Sequence, residues 1–419
     1  MWTRRDFLRM ALALPAASWL ARYQALAAPD RRMVKITAIK TLELDNVGDG
    51  CLIRIETDAG LVGYGEAGVS AKMARAHIED FQRLLLGQDP LAIERHFHMM
   101  ADHQHAFMAN IPTVSGLDIA LWDLAGKILD VPLYRLLGGP LRPAAPMYAH
   151  GGPRNLLDLG ECRAWAQQAR EEPTGFTAYK FSIANAGGVG RPMPFAETLD
   201  GSDFRKLATG FQNLRTAMGD DLDIAMHCLG QLDTRSAIGA CRAIEPIAPA
   251  WVEDPLNVNY SEGWLELKRS TRAPILTGEK VELVRGFRPF LDNGAVDIIH
   301  PDVAYAGGIT GCMKIADYAA LTRTPVALHS GPASLIRFYA SVHLAGAIQN
   351  FFKIETILGE ARTGGPWADE NARKEKMAAG KEPVIRNSVM QFPEGPGLGL
   401  ELNEDWLRQH LAKGETWWG

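Results

Sequence analysis

Short apolar runs that end in a polar residue recur through the second part of the chain, and each is followed by a segment of helical length. The runs lie at residues 146–150, 176–180, 223–227, 249–253, 274–279, 296–302, 325–329 and 350–355. From the third run onward their last polar residues stand 23 to 27 positions apart, close to the roughly 30 residues per βα unit of a TIM barrel. We therefore predict eight parallel strands whose C-terminal side chains converge on one cavity.

The gap between the second and third runs, from Lys180 to His227, is too long for one such unit. It contains a stretch rich in Gly and Pro, from Ala184 to Asp203. That composition indicates a loop, and loops of this kind often carry function. We predict an inserted loop over the barrel mouth that could act as a lid.

A smaller unit is predicted ahead of the barrel. Alternation with a period of two predicts antiparallel strands, and a 3.6-residue period predicts helices. The strands are predicted at residues 34–44, 51–57 and 61–66, and the helices within 71–137. We assign residues 33–140 to an α+β domain, residues 145–383 to the barrel, and residues 384–419 to a C-terminal segment that returns to the smaller domain.

The first residues have the pattern of a targeting signal rather than of a folded domain. Arg4 and Arg5 precede an apolar run from Met10 to Leu20, and small residues follow at 25–27. The pattern resembles a twin-arginine export signal, and the apolar run is shorter than the roughly 20 residues that span a bilayer. We predict that residues 1–28 direct export, that the protein is periplasmic or otherwise exported, and that the mature chain has no stable membrane span.

Composition narrows the class of partner. The chain has 419 residues, 47% of them hydrophobic, and a formal net charge of −5. It has no basic run interleaved with aromatic residues, so a nucleic-acid partner is not expected. The five cysteines are scattered, odd in number and without CxxC spacing, which argues against a disulfide framework or a structural zinc site. A small-molecule partner is expected.

Two glutamates, Glu253 and Glu279, end neighbouring predicted strands. Carboxylates this close would repel each other, and a divalent cation between them removes that cost. His227, one strand earlier, would add a nitrogen ligand, which extends the candidate ions from Mg²⁺ to Mn²⁺, Fe²⁺, Co²⁺ and Zn²⁺. The alternative interpretation is that the glutamates form salt bridges at the rim and that His227 is a hydrogen-bonded structural residue.

Two later strands end in Asp302 and His329, a spacing suited to a carboxylate that orients an imidazole and raises its basicity. Such a pair can act as a general base near neutral pH, although a buried structural pair would have the same spacing. Lys180 could stabilise negative charge on a substrate or extend into solvent. His150 and Glu355 are further catalytic candidates, Glu355 either as a group that binds a substrate carboxyl or as an acid.

Several motifs of the chain together resemble those of one enzyme family. They are Ser115–Asp123, Tyr134–Gly139, Trp251–Pro255, Gly278-Glu279, His300–Asp302, Gly307–Thr310 and Pro396–Gly399. The set resembles the mandelate racemase and muconate lactonizing group of the enolase superfamily, from about Val34 to the end. The resemblance implies an α+β capping domain over a modified TIM barrel, (β/α)7β. It also implies abstraction of a proton next to a carboxylate, with a divalent metal, Mg²⁺ in the family, stabilising the enediolate.

The residues on the second barrel strand distinguish branches of this family. Racemases and cycloisomerases carry a Lys-x-Lys pair there, whereas this chain has Lys180-Phe181-Ser182. Together with the Asp302-His329 pair, this pattern resembles the acid-sugar dehydratases, in which the His removes the C2 proton and the C3 hydroxyl leaves. The resemblance therefore implies a sugar-acid substrate and a 2-keto-3-deoxy product.

Two positions depart from the dehydratase pattern. The first metal position, normally Asp, is His227, and the acid His of some dehydratases is Leu229. The leaving hydroxyl would then take its proton from His150, from His329 or from water. Two other functions stay open: a one-base epimerase or racemase, and a non-catalytic sugar-acid binding protein that kept the barrel. The resemblance also implies a homo-oligomer.

Overall fold

The structure is a computed structural model that describes residues 33–45, 50–102, 110–189, 196–331, 334–356, 376–380 and 384–418. The predicted export signal, residues 1–28, lies outside these ranges. Within them, no helix is both long enough and apolar enough to cross a membrane. The strands form one three-stranded sheet and one ten-stranded sheet.

The smaller sheet is an antiparallel meander in which β1 pairs with β2 and β2 with β3. Its strands are β1 Ile36–Leu42, β2 Cys51–Thr57 and β3 Val62–Ala67. The helices that follow are α1 Ala71–Leu85, α2 Ile93–Ala101, α3 Ile111–Leu129 and α4 Leu133–Leu136. The predicted α+β capping fold is confirmed, because the alternating segments form the sheet and the 3.6-residue pattern forms the helices.

The larger sheet closes into a barrel of eight parallel strands, since β11 pairs with β4. The strands are β4 Ala145–His150, β5 Ala178–Ser182, β6 Asp223–His227, β7 Trp251–Glu253, β8 Ile275–Thr277, β9 Ile298–Ile299, β10 Val326–Leu328 and β11 Phe351–Thr356. The helices between them are α5 Leu159–Glu171, α6 Gly201–Met218, α7 Thr234–Ile244, α8 Glu262–Ser270, α9 Leu283–Asp292, α10 Gly308–Leu321 and α11 Leu335–Ala347. Each predicted run overlaps one strand, so the predicted barrel is confirmed.

The capping domain is joined to the barrel through α3. A β-carbon on Gly65 of β3 would lie 1.9 Å from the carbonyl oxygen of Gly116, so glycine lets α3 approach its own sheet closely. On its other side, Asp118 of α3 accepts hydrogen bonds from the backbone N–H and the hydroxyl of Thr310, at 2.9 and 2.6 Å. α3 is therefore buried between the small sheet and the first turn of α10.

The predicted inserted loop, Ala184 to Asp203, ends earlier than its composition suggests. α6 begins at Gly201, and the side chains of Asp200 and Asp203 form a capping box at its first turn. Asp203 therefore belongs to the helix, because its carboxylate bonds back to the N-cap backbone.

The last residues before α6 are bound to the barrel. Leu199 is buried, and its N–H donates to Ser236 Oγ at 2.8 Å. The N–H of Glu197 donates to the carbonyl of Gln231 at 2.6 Å. Residues 190–195 of the loop lie outside the described ranges, and its action as a lid stays a prediction.

The C-terminal segment contacts both parts of the molecule. A hairpin, β12 Ile385–Arg386 and β13 Val389–Met390, pairs with the first residues of β4, at the end of the barrel opposite its C-terminal mouth. Farther along, Asp123 of α3 accepts the N–H of Leu398 at 2.8 Å. A last helix, α12, spans Glu404–Gln409. The segment thus adds to the base of the barrel as well as contacting the capping domain.

Candidate active site

The eight candidate residues named from the sequence lie within three residues of the C-terminal ends of the barrel strands. They are His150, Lys180, His227, Glu253, Glu279, Asp302, His329 and Glu355. Parallel register places neighbours side by side, since His150 pairs with Lys180 and His227 with Glu253. Because the strands close into a barrel, the structure brings all eight to one mouth.

His227, Glu253 and Glu279 form a cluster suited to a metal ion, with one ligand atom of each within 4.8 Å of the others. His227 Nε2 lies 3.6 Å from Glu253 Oε1 and 3.8 Å from Glu279 Oε2. These separations exceed hydrogen-bond length and suit atoms that each lie about 2.0–2.2 Å from one ion. Within the described residues neither ring nitrogen of His227 has a hydrogen-bond partner, although the ring is buried. The donor set therefore fits a divalent metal.

The charge at the mouth also fits a divalent cation. Five buried carboxyl groups lie in or beside the cluster and are paired with three permanent cations. Ionising all five, as a bound divalent metal would favour, leaves two negative charges while the histidines are neutral. The carboxylates are Glu253, Asp254, Glu279, Asp302 and Glu355, and the cations are Lys180, Lys280 and Arg337. Burial holds the pKa of His227 well below its usual value, so the ring is neutral and able to bind a metal.

Lys180 is buried, with 1% of its surface exposed, so the alternative that it extends into solvent is wrong. Its Nζ lies 2.7 Å from Glu253 Oε1 and 2.8 Å from Glu355 Oε1. Burial opposes ionisation of Glu355, but Lys180 beside it holds the pKa of that carboxyl below its usual value. At Glu253 burial prevails and raises the pKa to about 8. The ammonium stays inside the barrel because two carboxyl groups compensate its charge.

Asp302 and His329 form the predicted pair, with His329 Nδ1 2.5 Å from Asp302 Oδ2. In the neutral ring we assign the proton to Nδ1, because a carboxylate can only accept it, and the unprotonated Nε2 then faces the metal cluster. Nε2 lies 3.2 Å from Glu279 Oε2 and 3.5 Å from Glu355 Oε2. Burial disfavours a charged ring, but the carboxylates, Glu279 foremost, outweigh it and raise the pKa of His329 to about 9, so without a metal the ring holds a proton on both nitrogens at neutral pH. A divalent cation bound to Glu279 would offset the largest of these carboxylate effects and leave Nε2 free to act as a base. The pair has the geometry of a general base.

His150 has the most exposed side chain of the eight, and its Nδ1 lies 3.5 Å from Glu355 Oε1. Desolvation at the mouth lowers the pKa of His150 to about 4, so its ring is neutral at neutral pH. Ser182 stands where racemases carry their second lysine, and its Oγ accepts the N–H of Ala184 at 3.2 Å. It caps a short 3₁₀ turn and is therefore a structural residue here.

Arg337 holds the Asp302 carboxylate and was not predicted from the sequence. Its Nε donates to Asp302 Oδ1 at 2.9 Å, and its Nη2 donates to Oδ2. A lone arginine within the apolar run 335–347 is a signal that could have indicated it, because a buried charge requires a partner.

Three more supporting residues were also missed. Lys280 Nζ lies 2.7 Å from Glu279 Oε1 and 3.1 Å from Asp254 Oδ2, so it orients one candidate metal ligand from the solvent side. Beneath the cluster, Tyr148 Oη lies 3.0 Å from His300 Nε2. His300 belongs to one of the sequence motifs named above. Its contact with Tyr148 could not be predicted from them, because it joins strands on different sides of the barrel.

Comparison with known families identifies both parts of the chain. Residues 28–138 match the mandelate racemase / muconate lactonizing enzyme N-terminal domain, and residues 161–406 match the enolase C-terminal domain-like family. The chain belongs to the mandelate racemase / muconate lactonizing enzyme family. The resemblance inferred from its motifs is thereby confirmed.

Similar members of this family carry dehydratase names. A D-xylonate dehydratase of Haloferax volcanii is 32% identical over 92% of this chain and 91% of that protein. A D-galactonate dehydratase of Pectobacterium atrosepticum is 29% identical over 92% and 96%. A solved mandelate racemase/muconate lactonizing enzyme-like protein from Rubrobacter xylanophilus has a TM-score of 0.81 at 30% identity, covering 92% of this chain and 100% of that one. The prediction of an enzyme of the carbon–oxygen lyase class is confirmed.

Proposed function

We propose that this enzyme dehydrates a sugar acid to a 2-keto-3-deoxy acid, beginning with removal of the proton next to the carboxylate. The observation that carries the proposal is the position of His329 Nε2, which faces the cluster of His227, Glu253 and Glu279. A substrate carboxylate bound at that cluster would present its neighbouring carbon to Nε2. The names of the relatives, which specify D-xylonate and D-galactonate, support an aldonic acid as the substrate class.

In the proposed reaction His329 Nε2 takes the proton from C2, and the electron pair of that bond expels the C3 hydroxyl. Asp302 keeps Nδ1 protonated and stabilises the imidazolium. The hydroxyl leaves as water after it accepts a proton, and the resulting enol becomes the 2-keto acid. His227, Glu253 and Glu279 would hold the divalent metal, which when bound supplies Lewis-acid stabilisation of the substrate carboxylate.

We assign His329 to return its proton to the leaving hydroxyl. After the first step it carries the abstracted proton, whereas the neutral ring of His150 has no surplus proton to donate. Leu229, at the position of the acid in some dehydratases, cannot donate one either. A single residue that acts as base and then as acid requires both bonds to break on one face of the substrate, so elimination should be syn.

The remaining candidates have electrostatic and binding roles in this scheme. Lys180 places a fixed positive charge between Glu253 and Glu355 and offsets negative charge that develops at the mouth. Glu355 and the partly exposed His150 lie close enough together to bind the hydroxyl groups of the substrate.

For the metal we propose a first-row transition ion, Mn²⁺, Fe²⁺, Co²⁺ or Zn²⁺, in preference to the Mg²⁺ that the family resemblance implies. The support is the unpartnered imidazole of His227, since nitrogen ligands favour these ions over Mg²⁺, which prefers oxygen.

One observation favours a second activity, epimerisation or racemisation by a single base. Burial lowers the pKa of His150, His227 and His300, so among the described histidines at the mouth only His329 can carry a proton for transfer at neutral pH, and such an activity needs only His329. It would exchange the C2 proton with solvent without forming a 2-keto product.

The test is a panel of aldonic and uronic acids incubated with metal-loaded protein, with the 2-keto product measured. His329→Asn should reduce dehydration by about 10²- to 10⁴-fold, and equal activity in the two proteins would defeat the assigned base. In ²H₂O, exchange at C2 without product would identify the epimerase. Neither exchange nor product, together with a rise in Tm on adding a sugar acid, would identify the non-catalytic binding protein.

We also propose that the protein is exported by the twin-arginine pathway and works as a homo-oligomer. The arginine pair, the short apolar run and the small residues at 25–27 support export. The oligomer rests on the family resemblance.

A further inference from the structure

Arg337 is one of the few fully buried charged side chains of the protein, and it binds both oxygens of Asp302. The N–H of Ala304 adds a third bond, to Asp302 Oδ1 at 2.8 Å. Two parallel bonds from a planar guanidinium fix the plane of a carboxylate as well as its position. That plane determines where Oδ2 meets His329 Nδ1, and hence where the imidazole points.

The capping domain contacts the helix that carries Arg337. Glu66, at the end of β3, accepts the backbone N–H of Ser334 at 3.0 Å and is also bonded by the Ser334 hydroxyl. Ser334 is the N-cap of α11, and its Oγ accepts the N–H of Ile336 at 3.2 Å. Glu66 therefore binds the start of α11 one turn before Arg337.

A second contact from the capping domain reaches the guanidinium itself. Gly68, two residues after Glu66, lies so close to Tyr305 that a β-carbon there would be 2.4 Å from Tyr305 Cε1. The ring also packs against Arg337, whose guanidinium carbon lies 4.8 Å from the ring centroid. Tyr305 thus contacts both the capping domain and the arginine.

We propose that Arg337 is a positioning residue for the His329 base, and that the capping domain sets its position through Glu66 and Tyr305. The inference rests on the proposed role of His329. Its physical basis is that proton transfer requires alignment, and a displacement of about 1 Å can cost about 10²-fold in rate. The base is thereby coupled to the domain that covers the mouth.

Two matched substitutions test the proposal, Arg337→Lys and Arg215→Lys. Lysine keeps the charge but cannot bind two oxygens in one plane, so Arg337→Lys should lower kcat by about 10- to 100-fold. KM and metal affinity should stay within about twofold of wild type, because Arg337 contacts neither the substrate site nor the metal ligands. Arg215 donates to three backbone carbonyls near the other end of the barrel. Arg215→Lys should leave kcat unchanged. An unchanged kcat in Arg337→Lys would overturn the proposal.

A third variant, Tyr305→Leu, avoids any unpaired buried charge and therefore serves if Arg337→Lys fails to fold. Tyr305→Leu should also lower kcat and leave KM unchanged. An unaltered kcat in this variant would count against the coupling to the capping domain. Melting curves of all three variants establish that they are folded.

A measurement without substrate separates this inference from the proposed function. The His329 Nδ1 proton, in a short bond to Asp302, should give a downfield proton NMR signal, assigned by its loss in His329→Asn. The chemical shift of this signal should change in Arg337→Lys and remain the same in Arg215→Lys. An unchanged chemical shift in both variants would overturn the role of Arg337. Wild-type protein that shows this pattern but forms no 2-keto product would defeat the proposed function alone.

Discussion

His227 Nε2 and Glu253 Oε1 face each other at 3.6 Å across neighbouring strands, a separation that fits a shared ion and is too long for a hydrogen bond. The family resemblance implies an aspartate at the position of this imidazole. One side chain on β6 therefore changes the donor set of the proposed centre from all oxygen to mixed nitrogen and oxygen.

His227→Asp should shift metal preference toward Mg²⁺. Wild-type protein stripped of metal should bind Mn²⁺ or Co²⁺ more tightly than Mg²⁺, and the variant should reduce that ratio because a carboxylate replaces the nitrogen ligand. Titration calorimetry with each ion measures it. His98→Asn, at an exposed histidine of α2, is the control and should leave the ratio unchanged. A wild-type protein that prefers Mg²⁺ would refute the prediction.

Lys180→Met should destabilise the fold strongly. It removes the cation shared by Glu253 and Glu355 and leaves two buried carboxyl groups without it, at a cost of about 3–5 kcal/mol in the free energy of unfolding. Denaturant unfolding measures the change. Lys314→Met, which removes an exposed pair with Glu94, should cost about 0–1 kcal/mol. Equal losses in the two variants would contradict the buried pair.

His343 should make stability depend on pH. Its Nδ1 accepts the N–H of Tyr134 at 3.1 Å and its Nε2 contacts the Leu398 carbonyl at 3.0 Å, so the ring joins the capping domain, α11 and the C-terminal segment. Burial lowers the pKa of His343 to about 4, whereas in the unfolded chain it is about 6.5. The unfolded chain therefore takes up the proton first, and stability should fall as pH drops from about 6.5 to 4, by at most about 3 kcal/mol.

The measurement is denaturant unfolding at several pH values, with His343→Gln as the comparison. A glutamine amide can accept from one backbone group and donate to the other without titrating. The variant should lose this part of the pH dependence, and a variant with the wild-type slope would show that another group is responsible.

Replacing Arg4 and Arg5 together by lysine should keep the protein in the cytoplasm, because the export machinery reads the arginine pair. Fractionation of cells that produce each form measures the distribution. A periplasmic fraction that is the same for both forms would refute the export proposal.

The barrel and its candidate residues were predictable because each strand is a local pattern, and Glu253 or His329 could be recognised as the end of one. Because a closed barrel brings every strand end to the same mouth, the sequence was enough to predict that these side chains converge. The end of the inserted loop was harder to predict. Its Gly and Pro content indicated a loop, but the capping box of Asp200 and Asp203 starts the helix sooner.

The sequence by itself determined the two-part fold, the order of the strands and eight of the titratable side chains at the mouth. Only the tertiary structure decided that Lys180 is buried between two carboxyl groups, that Arg337 binds Asp302, and that Glu66 of the capping domain reaches α11. The periodicity of the sequence indicates only which face of its own strand or helix a residue occupies. Partners that are tens or hundreds of positions apart in sequence meet only when packing brings their elements together, and the stability of a buried charge depends on those partners.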